Sequence, residues 1–526
     1  MLTKSSIAFR RCVTVASALF LTAGIAQAVG DPEFAKLVAN DAASTDFFGY
    51  SVAVSGTTAI SGAVGKNGTT GAAYLFDTTT GLQTMKLVAN DGFPNDSLGT
   101  SVAISGTTAI VGAMFDLDNG ANSGSAYLFD TTTGLQLAKL LASDGAAQDT
   151  FGHSAAINGT VAIVGAPRNE DVGAAYLYDT TTGLQLAKLQ ASDGALNDNF
   201  GGAVAINGTT AVVGAFADDD NGSASGSVYL FDTTTGLQVA KLLASDGTAS
   251  DAFGFSVAIS GTTLIVGARG NQFGGDTGAA YLFDTTTGLE IAKLLASDGS
   301  AGDEFGNSVA ISGTIAIVGA PEEDDNGGGS GAAYLFDTTT GLQIAKLQAS
   351  DGESSDSLGE SVGIGGTTAI AGALFDEDNG FGTGSAYLFD ATQPPALAGD
   401  VASISLATGG SQILSLEGGC ARAGWFYFMF GSVTGTTPGI DFGGGVVLPL
   451  NDDRYFRVTL NNPGAAIFNN FNGFLDGAGQ AVATLSLPTG LQPALIGVTL
   501  NHAYLAGEVV GHVGFASNAV SVLLVP

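Results

Sequence analysis

The chain has 526 residues, 45% hydrophobic and only 12% charged, which is too apolar for a disordered chain and too long for one core, so at least two domains are expected. Its 49 acids against 16 bases give a net charge of −33, a surface that repels nucleic acid and anionic membrane and favours divalent cations. The same acids would also keep a repetitive β-protein soluble without binding anything.

At the start, Lys4, Arg10 and Arg11 lead into the apolar run Val13 to Ile25, and Ala26-Gln27-Ala28 has the small-x-small form of a cleavage site. Residues 1–28 therefore read as a secretory signal, and the mature chain is expected to be secreted or held at the cell surface. No later stretch reaches the roughly 20 apolar residues needed to span a bilayer. Cys12 leaves with the signal, so Cys420 has no intramolecular partner and reads as a small buried apolar residue or as a reactive thiol.

From Phe34 to Asp390 one phrase returns seven times: F-G-x-S-V-A, a two-residue turn, T-A-I-V-G-A, then G-A-A-Y-L-F-D-T-T-T-G-L-Q-L-A-K-L. The Phe/Leu-Gly pairs at 48, 98, 151, 200, 253, 305 and 358 are spaced by 50, 53, 49, 53, 52 and 53 residues. A period near fifty marks a propeller or solenoid. In the third unit the apolar segments Ser154–Ile157, Val161–Val164, Ala174–Tyr178 and Leu184–Leu189 are strands a, b, c and d. Asn158-Gly159 and its Ser-Gly counterparts make a–b a tight hairpin, and D-T-T-T-G closes c–d. Four strands that are apolar on both faces and small in a and b describe a propeller blade.

The segment Phe34 to Leu37 is a strand d without its own a, b and c, and the seventh unit ends after Tyr387-Leu388-Phe389 with no d. The first segment can complete the last blade, giving seven four-stranded blades and no open edge. One lysine recurs in each strand d (Lys36, Lys86, Lys139, Lys188, Lys241, Lys293, Lys346), where it would guard an outer edge against stray pairing.

Acids gather between strands b and c in four units, beginning at Asp116, Asp218, Glu323 and Asp376, each eleven residues before the strand c tyrosine. The alternating pairs Asp116 and Asp118, Asp218 and Asp220, Glu323 and Asp325, and Asp376 and Asp378 could converge on calcium. They could equally cap backbone N–H groups in an Asx-type turn. The d–a connections add acids such as Asp144 with Asp149 and Asp193 with Asp198. In an up-and-down blade the b–c and d–a connections leave on one face, so this acidic face is the candidate binding surface.

The F-G-x-S-V-A and G-A-P phrases resemble the FG-GAP repeat of integrin α-subunit propellers and of bacterial exported proteins, over roughly residues 34–391. The fullest matches are Phe151-Gly152 with Gly165-Ala166-Pro167, and Phe305-Gly306 with Gly319-Ala320-Pro321. The resemblance implies a propeller with a binding role. Its calcium loop, however, lies between the F-G and G-A-P strands, where this chain has a tight turn, so those ligands do not transfer.

With only His153, His502 and His512 available, no Ser/His/Asp triad or histidine metal site assembles readily, and no enzyme is expected. After Gln393-Pro394-Pro395 the composition shifts. Residues 394–399 read as a linker and 400–526 as a β-sandwich with strands at Ala402–Leu406, Gln412–Leu416, Trp425–Phe430, Val446–Leu450, Tyr455–Leu460, Ala481–Leu487, Ala494–Leu500 and Ala519–Val525. The expected fold is all-β: a seven-bladed propeller over 29–393 followed by that sandwich. The expected function is non-catalytic binding of a protein or glycan by a monomer, with a structural or surface-layer role and a carbohydrate-active enzyme as the other readings.

Overall fold

The turn chemistry of the repeat sets the blade. The computed structural model describes residues 33–270, 277–391 and a set of strands between 396 and 525, so residues 1–28, Cys420 and Trp425 lie outside the described residues. In the third blade strands a, b, c and d are Ser154–Asn158, Val161–Ala166, Ala174–Asp179 and Gln185–Leu189, hydrogen-bonded in that order and antiparallel throughout. The D-T-T-T-G loop closes as its residues require: Asp130 Oδ1 accepts the N–H groups of Thr132 and Thr133, and Gly134 takes φ +70°. The Thr132 hydroxyl, which donates to the same oxygen, and those backbone bonds hold the Asp130 carboxyl down to about 2.

Seven such sheets stand around an axis, with the a strands meeting one another in ring order and the d strands outside. The ring closes as expected: Glu33–Leu37 pairs antiparallel with Ser385–Asp390, Lys36 opposite Tyr387 and Leu37 opposite Ala386. The core lies between blades. Ile60, Leu75 and Leu87 of blade 1 pack with Leu98, Val111 and Tyr127 of blade 2, while Leu37, Ile370 and Leu388 of blade 7 pack with Phe48, Tyr74 and Phe76 of blade 1. These clusters form one compact unit over Pro32–Ala391.

The recurring phrase has a physical origin at each blade junction. Phe151 is 1% exposed and meets the rings of Tyr176 and Tyr178 edge-on, while its N–H bonds to the Ser123 carbonyl of the preceding blade. Next to it, Gly152 comes so close to Gly112 that a Cβ on Gly112 would collide with the Gly152 carbonyl. The serine of F-G-x-S completes the joint: Ser51, Ser101, Ser154, Ser256 and Ser361 donate to the carbonyls of Gly99, Gly152, Gly201, Gly306 and Gly49, each on the next blade. The bond from Ser361 to Gly49 crosses the seam.

Among its described residues the second unit holds a two-stranded sheet, Ile440–Asp441 with Val447–Leu448, and two larger ones. One runs Ala396–Gly399, Gly410–Glu417, Gln480–Leu487, Phe468–Asn469. The other runs Ser403–Ser405, Val520–Val525, Thr499–Glu508, Phe426–Ser432, Asn472–Phe474, with His512–Ala516 paired to Thr499–Glu508. Leu414, Leu416, Ala483 and Leu485 of the first share an apolar cluster with Tyr427, Met429, Leu500, Tyr504 and Leu524 of the second. Two expectations are corrected here. Ala396–Gly399, assigned to the linker at 394–399, is a strand because its backbone pairs with Gly410–Glu417. Tyr455 and Arg457, placed on a strand, have helical backbone, and the Tyr455 hydroxyl meets His502 Nε2 at 2.9 Å.

Candidate functional site

Each b–c loop begins where strand b ends, and in blades 1, 2, 3, 4, 6 and 7 its third residue is buried beneath the loop. In four blades that residue is an acid that is almost wholly buried: Asp116 (3% exposed), Asp218 (3%), Glu323 (5%) and Asp376 (2%). Strand c supplies a tyrosine and strand d a lysine, directly paired across the ladder, as Tyr127 with Lys139. The lysine stem runs along the blade edge, but its amine bends onto the loop face.

There it gathers carboxylates from two connections. Lys139 Nζ lies 3.0 Å from Asp116, 2.6 Å from Asp118 and 2.8 Å from Asp91 of the preceding d–a connection. Lys241 repeats this with Asp218 (3.1 Å), Asp220 (2.6 Å) and Asp193 (2.8 Å), and Lys346 with Glu323 (2.8 Å), Asp325 (2.7 Å) and Asp298 (2.8 Å). Lys36, from the first strand of the chain, does so with Asp376 (2.8 Å), Asp378 (2.7 Å) and Asp351 (2.9 Å) of blade 7. The ammonium also sits over the tyrosine ring, 5.2 Å from the centroid of Tyr127. All eight acids singled out in the sequence are therefore brought together in pairs, each pair around a lysine. Beside the edge-guarding role expected of these lysines stands internal charge pairing, since an ammonium beside a desolvated carboxylate is held far more strongly than one in water.

The titration behaviour follows. Burial opposes the charge of Lys139, yet its bonds to Asp118, Asp91, Tyr127 and Asp116 hold its pKa above the usual lysine range. Burial likewise disfavours the Asp91 carboxylate, but Lys139 outweighs it and keeps that group below its ordinary value. Asp356 behaves differently: burial and the neighbouring Asp376 push it up to about 6, against a bond from the Glu353 N–H.

The turn features are present as well. Asp116 Oδ1 accepts the Asp118 N–H at 3.0 Å, and Asp218 and Asp376 do the same for Asp220 and Asp378. Tyrosine hydroxyls donate to the buried acid at 2.8 Å in blade 2, 2.9 Å in blade 4 and 2.7 Å in blade 7. Blade 6 differs because Glu323 is one methylene longer: its Oε2 and the Tyr334 hydroxyl both lack partners. The carboxylates expected to converge on calcium converge here on a lysine ammonium. Among the described residues no trio of His, Cys, Asp or Glu is arranged for a metal ion.

Blades 1 and 3 put other groups at the same loop position. Lys66 bonds Asp46 at 2.7 Å, and Asn169 Nδ2 bonds Asp149 at 2.8 Å. In blade 5, Lys293 pairs with Asp246 at 2.8 Å, and Arg269 stacks on Phe255, 3.9 Å from the ring centroid to Cζ, and reaches Glu304 at 3.4 Å. Sequence reasoning missed the lysines as loop ligands. The available signal was their strict recurrence one position from the strand end, in step with the acids.

His153 Nδ1 faces the Gly202 carbonyl at 3.2 Å, and burial drives His502 down to about 3. Among the described residues no helix is long and apolar enough to cross a membrane. No curated protein matches the chain. Among solved structures, a chain titled Kuenenia stuttgartiensis hydrazine synthase is similar at 15% identity and a TM-score of 0.45, over 62% of this chain and 94% of that one. The family model of the FG-GAP repeat matches residues 32–76, 82–129, 135–178, 184–231, 237–283, 289–336 and 342–389, one stretch per blade, and the chain belongs to the FG-GAP repeat family.

Proposed function

We propose that this chain is an exported, non-catalytic binding protein whose acidic loop face recognises a protein or glycan at a surface. The observation that carries this reading is the incomplete neutralisation of that face. Each of four lysines meets three carboxylates, so every such cluster keeps an excess of negative charge on rigidly held loops. The outer acids Asp118, Asp220, Asp325 and Asp378 have side chains 48–63% exposed and can meet a partner without disturbing the buried acid beneath.

Calcium enters as a competitor of the lysines. An ion that drew on Asp116 and Asp118 would have to displace the Lys139 amine, so calcium binding, where it occurs, is expected to be weak in the native chain. Attachment of the intact protein to glycan- and protein-coated surfaces, with calcium and with chelator, tests both parts. Replacing Asp118, Asp220, Asp325 and Asp378 by Asn together should abolish attachment. Unchanged attachment would overturn the proposal.

One observation favours the structural alternative. Leu82, Leu135, Leu184, Leu237, Leu289 and Leu342, each following a D-T-T-T-G turn, are 66–68% exposed on the opposite rim. Ordered self-association that vanishes when these leucines become serine would support a scaffold role in place of a recognition one.

A further inference from the structure

Between blades 6 and 7 the loop face opens into a cleft of about 360 Å³, lined by Glu322, Glu377, Phe375, Phe381, Ser355 and Ser357 among others. This is near the lower end of the range for small-molecule sites. The rings are presented outward, Phe375 being 43% and Phe381 66% exposed. The Phe375 ring and the Phe381 backbone are also held in place. Phe375 meets Phe47 edge-on with centroids 5.9 Å apart, and the Phe381 carbonyl accepts the Thr45 N–H at 2.8 Å.

The carboxylates are equally distinctive. Elsewhere on this face an internal cation sits between an aromatic ring and acids, as Lys139 does with Tyr127 and as Arg269 does with Phe255 and Glu304. In the cleft the aromatic and acidic elements recur without a cation of the chain's own. Lys346 and Lys36, the strand d lysines of these two blades, are each committed to three other carboxylates. Asp376 and Asp378 both pair with Lys36 while Glu377, between them, lines the cleft. Among the described residues neither Glu322 nor Glu377 has an ion-pair partner, and Glu304 and Asp324 add negative field at Glu322.

We propose that this cleft binds an organic ammonium cation, its charge between Glu322 and Glu377 and its alkyl groups against Phe375 and Phe381. Such a cation gains charge attraction from both the ring faces and the carboxylates, which a neutral or anionic ligand would not. The inference rests on the wider reading of the loop face as a recognition surface and narrows it to one site and one ligand chemistry.

Calorimetric titration of the full chain with choline and with its neutral isostere 3,3-dimethylbutan-1-ol, at low ionic strength, tests it. Choline should bind and the alcohol should not. Glu322→Gln with Glu377→Gln should weaken choline about tenfold or more, as should Phe375→Ala with Phe381→Ala, while Asp171→Asn on blade 3 should change nothing. Thermal melts of each variant confirm folding. Absence of choline binding, equal binding of the alcohol, or indifference to both pairs of substitutions would overturn the inference. If choline fails while surface attachment through Asp118, Asp220, Asp325 and Asp378 persists, only the cleft assignment falls. If attachment fails while choline binds as described, only the wider reading does.

Discussion

Blades 1 and 2 place opposite charges at the same point, three residues past the end of strand b. In blade 1 that residue is Lys66, which bonds Asp46 of the incoming d–a connection, both side chains being 6% exposed. In blade 2 it is Asp116, which faces Asp96, the counterpart of Asp46, and is neutralised from another direction by Lys139. Burial and Asp116 together push the Asp96 carboxyl above its ordinary value. Blade 3 solves the same problem with the Asn169 amide. The fold thus tolerates either sign at this point so long as a partner arrives, and partner supply constrains the loop more tightly than charge does.

The largest effect tests the scaffold both blades share. Gly112→Ala would drive a Cβ into the Gly152 carbonyl at the junction of blades 2 and 3, and should cost about 4 kcal/mol in denaturant unfolding. A loss below ~1 kcal/mol would mean that the close approach is relaxed easily.

Next comes Lys139→Met, which leaves Asp116 buried without its cation and should cost about 3 kcal/mol at pH 7. Because Asp91 is held below its unfolded pKa, the native pair's stabilisation is present above the ordinary carboxylate range and is lost as pH falls through the lowered value. The gap between wild type and variant in pH-dependent melts should therefore close as pH falls toward and below 4. Calcium should raise the melting point of this variant more than that of the wild type, since the competitor has been removed.

Asp356→Asn probes the opposite sign. With the folded carboxyl raised to about 6 and the unfolded one at its usual value near 4, its contribution is greatest below about 4 and is lost as pH rises toward 6. The amide keeps an acceptor for the Glu353 N–H, so the variant should gain on the order of 1–2 kcal/mol at pH 7 and nothing at pH 4. Smallest is Lys86→Met in blade 1: Lys86 pairs with an Asp41 side chain that is 49% exposed, and its removal should cost under about 1 kcal/mol. A cost equal to that of Lys139→Met would erase the distinction between buried and open clusters.

Most of the architecture was legible in the residues because it is local and repeated. Hairpin turns at Ser-Gly and Asn-Gly, the D-T-T-T-G loops and the orphan strand at the N-terminus each carry their own backbone demand, and together they require closure. The placement of both acidic connections on one face followed from strand order alone. What escaped was convergence across connections. Lys139 and Asp91 are 48 residues apart, and nothing in the neighbourhood of either predicts the other. The role of the F-G-x-S serine was hidden for the same reason, its acceptor being a glycine carbonyl a blade away. In the second unit periodicity is weak and unrepeated, so the local residues of Ala396–Gly399 read as a linker and Tyr455 as part of a strand, while the pairing that makes Ala396–Gly399 a strand lies with Gly410–Glu417, further along the chain.

The pairing of Glu33–Leu37 with Ser385–Asp390 also sets an order of events during synthesis. Until the seventh unit has emerged, the first segment has nothing to dock against and the growing structure is an arc with two bare β-edges, each able to capture another chain. Such a protein is best served by being kept from collapsing prematurely while it is made. Once the latch engages, neither end of the wheel can peel away without breaking the other.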